Sequence, residues 1–102
     1  MYNYRMNNII SKKDIEQFKR DGAIFLKDKF DNKWIEKLKK GVQKDIKNPS
    51  PRFKSHTLKS NVPAYLEDYW TWDLVPEFKD FVFNSPYAEI ASELMSAKKI
   101  NL

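Results

Sequence analysis

Apolar residues recur at helical spacing in four separate segments, and this periodicity constrains the fold more than any other feature of the chain. The clearest case is "SPYAEIASELM", where the apolar residues fall at i, i+3, i+4, i+7 and i+8 from Tyr87. Such spacing places apolar side chains on one face of a helix. The pattern predicts helices over residues 12–21, 32–46, 76–84 and 86–96.

Local signals predict where the first two helices begin and end. Ser11 followed by Asp14 fits a capping box, and Gly22 stands where a left-handed C-cap residue is preferred. In the second helix Gly41 weakens the helix by about 1 kcal/mol relative to alanine, which favours a close backbone contact or fraying. One buried stripe is predicted on this helix, formed by Trp34, Ile35, Leu38, Val42 and Ile46.

Between the helices the sequence predicts short strands and one long loop. "AIFLK" at 23–27 has three consecutive apolar residues, as expected for a strand that is buried on both faces. Residues 47–63 contain three of the five prolines and lack periodicity, which predicts a loop that is long for a small domain. "KKINL" at 98–102 has the pattern of the start of a further strand.

Composition bounds the class of protein. A chain of 102 residues with 41% hydrophobic and 15% aromatic content is expected to form a single domain over residues 1–102. Without cysteine it has no disulfide, thiolate metal site or cysteine nucleophile. Its apolar runs are too short for a membrane span and its N-terminus lacks a signal-peptide core, so a cytoplasmic location is expected.

Positive charge is concentrated in the first part of the chain. Residues 1–59 contain 16 Lys or Arg and 7 Asp or Glu, whereas residues 60–102 contain 3 and 7. A basic region can attract nucleic acid. The lysines are spread along helix faces rather than clustered with arginine and aromatic residues, so a solvated surface is the preferred interpretation.

Few side chains suggest chemistry. His56 is the only histidine, and a histidine-based metal site needs at least one more imidazole or several carboxylates, so an exposed or locally bonded loop residue is expected. Two isolated glycines cannot form a phosphate-binding loop. No catalytic, cofactor-binding or metal-binding residue is therefore predicted. An aromatic cluster is expected to cover a core or line a groove; its members are Tyr65, Tyr69, Trp70 and Trp72.

Two stretches resemble the opening of a known enzyme family. "IEQFKRDGAIFLKDKFDNKWIEKLK" and "YWTWDLVPEFKDFVFNSPYAEIASELMSAKKINL" are similar, in order and spacing, to the N-terminal part of the phytanoyl-CoA dioxygenase-like family of non-haem Fe(II), 2-oxoglutarate-dependent oxygenases. The resemblance covers about residues 11–102. It implies an α+β, mostly helical fold: an N-terminal helical layer with short strands of a double-stranded β-helix (jelly-roll), whose core is absent from this chain.

The resemblance also implies where chemistry would reside. Family members bind iron through H-x-D and a distal His, and bind 2-oxoglutarate through an Arg, and this chain contains none of these motifs, since Leu58 stands two residues after His56. Fe(II) and 2-oxoglutarate are thus implied for a full-length parent that hydroxylates a small molecule, with no cofactor in this chain. Trp70 and Trp72 are expected to help form the substrate mouth.

Three functional hypotheses follow. The first is a partial chain that scaffolds such an oxygenase, is not catalytic alone, and has the remainder of the parent domain as its partner. The second is a self-standing, non-catalytic helical module for binding or oligomerisation, with a second copy of the chain as a partner. Nucleic-acid binding ranks below both.

Overall fold

The computed structural model describes residues 9–56 and 64–101 of the chain. Four helices and a two-stranded antiparallel sheet follow one another in the order α1 (Lys12–Asp21), α2 (Asn32–Lys47), β1 (Lys54–Ser55), β2 (Leu66–Glu67), α3 (Pro76–Asn84) and α4 (Tyr87–Met95). The chain is thus mostly helical, as predicted, and its helix boundaries agree with the predicted ones to within one residue. None of the described helices is long and apolar enough to cross a membrane.

The described residues divide into two compact units, one within residues 9–31 and 85–101 and the other within residues 32–56 and 64–84. In the first unit, α1 begins with the predicted capping box: Ser11 Oγ accepts from the Asp14 N–H at 3.1 Å, and Asp14 Oδ2 accepts from the Ser11 N–H at 3.4 Å. Gly22 ends the helix at φ 75°, donating its N–H to the Phe18 carbonyl at 2.8 Å. Both predicted helix ends are confirmed.

Helix α4 belongs to the same unit and packs against α1. Pro86 is the N-cap residue of this helix, and the Ser85 hydroxyl just before it accepts the Tyr87 N–H at 3.2 Å. Ser96 ends the helix in the left-handed region at φ 51°. The backbone N–H of Ile10 donates to Glu93 Oε2 at 3.0 Å, which joins the segment before α1 to α4. Ile10 and Ile90 are buried.

The second unit pairs α2 with α3. Trp34 is buried and meets Phe81 edge to face, with ring centroids 6.1 Å apart. Gly41 lies beneath Phe78, which confirms that this glycine serves close approach. The predicted single stripe on α2 is wrong in part, because α3 covers the Trp34 side while Ile35, Val42 and Ile46 are exposed.

The strands differ from the prediction. Residues 23–27 form no strand: Ile24 and Leu26 are half-buried while Phe25 is 86% exposed, so the segment buries one side only. A strand needs a hydrogen-bonded neighbour, and no described strand pairs with this segment. Residues 98–101 likewise form no strand, and Leu102 lies outside the described residues.

Instead, a strand pair lies partly within the predicted loop at 47–63. Lys54 pairs with Glu67 and Ser55 with Leu66, and the His56 N–H extends the ladder to the Tyr65 carbonyl at 2.7 Å. Residues 57–63 of that loop, including Leu58, lie outside the described residues.

Candidate functional site

A cluster of polar side chains surrounds Asp68, immediately after β2. Asp68 Oδ2 accepts the Ser50 N–H at 3.0 Å, and Oδ1 accepts the Ser50 hydroxyl and the Tyr69 N–H, the latter at 2.9 Å. Ser50 Oγ also accepts the Arg52 N–H at 3.1 Å. The turn after α2 is therefore held to the end of β2 by one carboxylate. We call Asp45, Ser50, Arg52, Asp68 and Trp70 the hairpin cluster.

Within the hairpin cluster two carboxyl groups share a hydrogen bond. Asp45, in the last turns of α2, bonds to Asp68, and burial together with this bond raises the pKa of Asp45 to about 6. Burial also acts to raise the pKa of Asp68, but the bonds from Ser50 and Asp45 and the charge of Arg52 outweigh it and lower the pKa. Below about pH 6, Asp45 therefore holds the proton and Asp68 carries the negative charge.

Arg52 anchors the strained residue Trp70. Its Nε donates to the Tyr69 carbonyl at 3.1 Å, its Nη2 donates to the Trp70 carbonyl at 3.4 Å, and its guanidinium carbon lies 5.6 Å from the centre of the Trp70 ring. Trp70 has φ 50°, a left-handed conformation that a bulky residue adopts at a cost of about 1 kcal/mol or more. The Trp70 side chain is 75% exposed. The Trp70 indole therefore faces solvent beside the Arg52 guanidinium.

The same hairpin carries a histidine–carboxylate pair. His56 Nε2 lies 2.7 Å from Glu67 Oε2, and the His56 ring lies 5.6 Å from the Tyr65 ring. A histidine–carboxylate pair can transfer a proton in a reaction. Here the two side chains form a hydrogen bond with each other at the surface. The structure thus agrees with the expected locally bonded loop histidine. It also reveals that the partner is Glu67, on the facing strand, which no local sequence pattern indicated.

The predicted aromatic residues have different environments. Trp72 is half-buried and meets Phe83 edge to face, with ring centroids 5.7 Å apart. Trp70, Tyr65 and Tyr69 are exposed. Trp72 thus packs against α3 while Trp70 faces solvent, and their predicted role at a substrate mouth stays a prediction.

The described residues do not fit an iron site. In residues 9–56 and 64–101, no group of three or more His, Cys, Asp or Glu side chains converges as a metal site requires. The imidazole Nε2 of His56 is engaged by Glu67, and Asp68 is engaged by Ser50. No step of a reaction is therefore assigned to an iron ion held by these side chains.

No protein-family model matches the chain, and no curated protein or solved structure shows significant similarity to it. The site is therefore interpreted from its own geometry.

The carboxyl pair predicts a pH-dependent stability. Because the folded state raises the pKa of Asp45 to about 6, it binds more protons than the unfolded state between about pH 4 and 6. The wild-type chain should therefore lose stability as pH rises through 6, by on the order of 1 kcal/mol after allowance for solvent screening. Asp45→Asn, which keeps a donor for Asp68, should remove this loss and be the more stable form at pH 7.

Urea denaturation at about pH 4.5, 5.5, 6.5 and 7.5 gives the free energy of unfolding of Asp45→Asn and of wild type, and their difference at each pH measures the effect. Asp73→Asn, which removes an exposed carboxylate outside the hairpin cluster, serves as the control at the same pH values. If the free energy of unfolding varied with pH in the same way for wild type and Asp45→Asn, the proton shared by Asp45 and Asp68 would be contradicted.

Proposed function

We propose that this chain is the N-terminal scaffold segment of a phytanoyl-CoA dioxygenase-like Fe(II)/2-oxoglutarate-dependent hydroxylase, and that it is not catalytically competent alone. One observation carries the proposal: among the described residues, far more large apolar side chains are exposed than are fully buried. A scaffold that packs against a further layer of the same domain requires such surface.

The apolar core of the described residues is small. Only Ile10, Trp34, Val75 and Ile90 are buried hydrophobic residues there, and no described side chain is less than 2% exposed. The exposed large apolar residues are far more numerous: Phe25, Ile35, Val42, Ile46, Tyr65, Leu66, Tyr69, Trp70, Leu74, Phe83, Tyr87 and Met95. An excess of exposed over buried large apolar residues is what a segment that packs against a further surface would show.

The order of elements supports the same proposal. A capped helix, Gly22, an extended apolar segment and a second helix follow one another as in the opening of that family, and "SP" at 85–86 precedes α4. The segment at 23–27 buries one side and leaves Phe25 exposed, as expected of a strand whose neighbours belong to another part of the domain.

In this proposal the chain positions other groups and does not react. The ligands of Fe(II) and the residues that bind 2-oxoglutarate would belong to the remainder of the parent domain, which would act on a small molecule in the cytoplasm. Trp70 and Trp72 would contribute to the substrate mouth, Trp70 through its exposed indole and Trp72 through its packing on α3.

A self-standing helical module for binding or oligomerisation is the second candidate. The same exposed apolar residues favour it, because a partner protein or a second copy could cover them. The two candidates differ in the length of the native product and in how the apolar surface becomes covered.

The length of the native protein distinguishes the candidates, and its intact mass measures that length. A native product much longer than the present chain, with H-x-D encoded downstream in the same frame, is the expected result. In a parallel assay the purified 102-residue chain should form no succinate from 2-oxoglutarate and Fe(II) above the no-enzyme control, because its described residues do not fit an iron site. A native product that ends at Leu102, or succinate formation by the short chain, would overturn the proposal.

A further inference from the structure

A chain of polar contacts links the last turns of α2 to the strained backbone of Trp70. Asp45 of α2 bonds to Asp68, and Asp68 accepts from both the hydroxyl and the N–H of Ser50. Ser50 Oγ accepts the Arg52 N–H at 3.1 Å, and Arg52 Nη2 donates to the Trp70 carbonyl at 3.4 Å. The hairpin cluster is therefore continuous, and all of its residues belong to the same compact unit.

The hairpin that carries Trp70 has little else to hold it closed. Strands β1 and β2 have two residues each, and an isolated two-stranded hairpin is marginally stable at best in water. A bulky residue stays in the left-handed region, as Trp70 does at φ 50°, only where surrounding contacts hold it there. Breaking the chain of contacts would relieve this strain, so the hairpin has an open state that competes with the closed one.

The contact between Asp45 and Asp68 is the one in this chain that depends on a proton. Two carboxyl groups can share a hydrogen bond only when one of them is protonated, because an ionised carboxylate is an acceptor alone. When both are ionised, the bond is lost and the like charges repel. The bonds of Ser50 come from its hydroxyl and backbone, and Arg52 stays charged at any ordinary pH, so neither depends on pH in this way.

The other charged groups near this contact have partners of opposite charge. Arg52, in the turn after α2, is the cation that acts on Asp68. The ion pairs between α2 and α3, and within the hairpin, are Lys37–Asp80, Lys44–Glu77 and His56–Glu67. Asp45, by contrast, meets a second carboxyl group.

We infer that the hairpin cluster is a proton-dependent latch. With a proton shared between Asp45 and Asp68, the latch holds the turn after α2 against the end of β2 and keeps Trp70 in its left-handed conformation. Loss of that proton opens this end of the hairpin while the helices stay folded. The inference goes beyond the proposed function and does not depend on it, because every member of the latch lies in this chain.

The direction of the pH effect follows from where the proton is bound. The closed latch raises the pKa of Asp45 to about 6, whereas a solvent-exposed aspartate in the open state has a pKa of about 4. Below about pH 4 both states hold the proton, and the closed state has its full stability. As the pH rises toward 6 the open state releases its proton first, so the closed state loses stability relative to it.

Amide hydrogen exchange of the full chain, measured by NMR at about pH 4.5 and about pH 7, tests the inference. The backbone N–H groups of Ser50, Arg52 and Tyr69 all donate within the latch and report its opening. After correction for the intrinsic exchange rate, their protection factors should fall about fivefold between the two pH values. The Val75 N–H, which donates to the Thr71 carbonyl at 2.9 Å in the same unit, is the control and should keep its protection. An equal fall at Val75 would indicate loss of the whole unit and would overturn the latch.

Asp45→Asn identifies the group that is responsible. The amide keeps a donor for Asp68 at every pH, so the three latch amides should stay protected at about pH 7 as they are at about pH 4.5. The His56–Glu67 pair is unchanged in this variant. A fall in protection as large as in wild type would therefore assign the pH dependence to another group and overturn the inference.

A titration of the wild-type chain gives a second measurement that needs no variant. The carboxyl carbon of Asp45 and the amide nitrogen of Ser50 are followed by NMR across the same pH range. Both signals should change with one midpoint, since the latch opens when Asp45 loses its proton. Two separate midpoints, or a Ser50 signal that does not move, would contradict the coupling of the proton to the hairpin.

Discussion

Trp34→Ala is expected to lower the free energy of unfolding by about 3 kcal/mol, the largest loss for any single side chain of α2. Trp34 is only 9% exposed and meets Phe81 of α3 edge to face. The Nζ atoms of Lys33 and Lys37 each lie 5.3 Å from the centre of its ring. Removing the indole would leave a cavity between α2 and α3 and take away these contacts together.

Ile35→Ala is the matched control, because Ile35 is the next residue along the same helix and is 40% exposed. Ile35→Ala should lower the free energy of unfolding by less than about 1 kcal/mol, because much of the side chain already faces water. Urea denaturation followed by circular dichroism measures both variants. Equal losses would mean that Trp34 and Ile35 contribute to one buried stripe, as the periodicity alone predicts, and would contradict the division of α2 into two sides.

The helices were predictable because their signals are local. The capping box of Ser11 and Asp14 involves residues three positions apart, and Gly22 ends α1 through a bond to Phe18, four positions back. The Ser85 hydroxyl accepts the N–H of Tyr87, two residues on, where α4 begins. Each of these contacts closes within about one helical turn, so residue type and spacing are enough to indicate it.

The hairpin cluster was not predictable, because its contacts join distant parts of the chain. Ser50 meets Asp68 across 18 positions, and Arg52 reaches the Trp70 carbonyl across the same separation. No periodicity links such residues, and serine, arginine and aspartate have many possible partners. Only the pairing of β1 with β2 brings the two segments together. The left-handed backbone of Trp70 had no sequence signal either, since tryptophan rarely adopts it.

The segment at 23–27 shows a second reason why sequence alone could not predict the structure. Ile24, Phe25 and Leu26 are apolar in succession, and that run predicted a strand buried on both faces. Composition cannot supply the neighbouring strand, however, and Phe25 lies in solvent. The same reasoning applies to α2, where the helical period indicated which residues are apolar and could not indicate which of them α3 covers.

Gly41→Leu is expected to lower the free energy of unfolding by about 3 kcal/mol, through overpacking between α2 and α3. A Cβ atom at Gly41 would lie 2.5 Å from Phe78 Cε1 and 3.2 Å from Glu77 Cβ. Gly41→Ala should lose less, about 1 kcal/mol, because the clash is partly offset by a gain in helix propensity of about 1 kcal/mol. Thermal and urea denaturation measure both variants, and Gln43→Ala on the exposed side of α2 should change stability by less than about 0.5 kcal/mol.

Comparing the two glycines of the chain shows whether Gly41 variants lose stability through a clash with Phe78 or because any side chain at a glycine is destabilising. Gly22 has φ 75° with open space around its Cα, so it is required for its backbone conformation, whereas Gly41 is helical and is required for the room that Phe78 occupies. Asparagine tolerates the left-handed region, so Gly22→Asn should cost well under about 1 kcal/mol. The same substitution at Gly41 should cost about 2 kcal/mol, because its side chain meets the Phe78 ring whatever its backbone preference. Similar losses at both positions would contradict the close approach of α3 to α2.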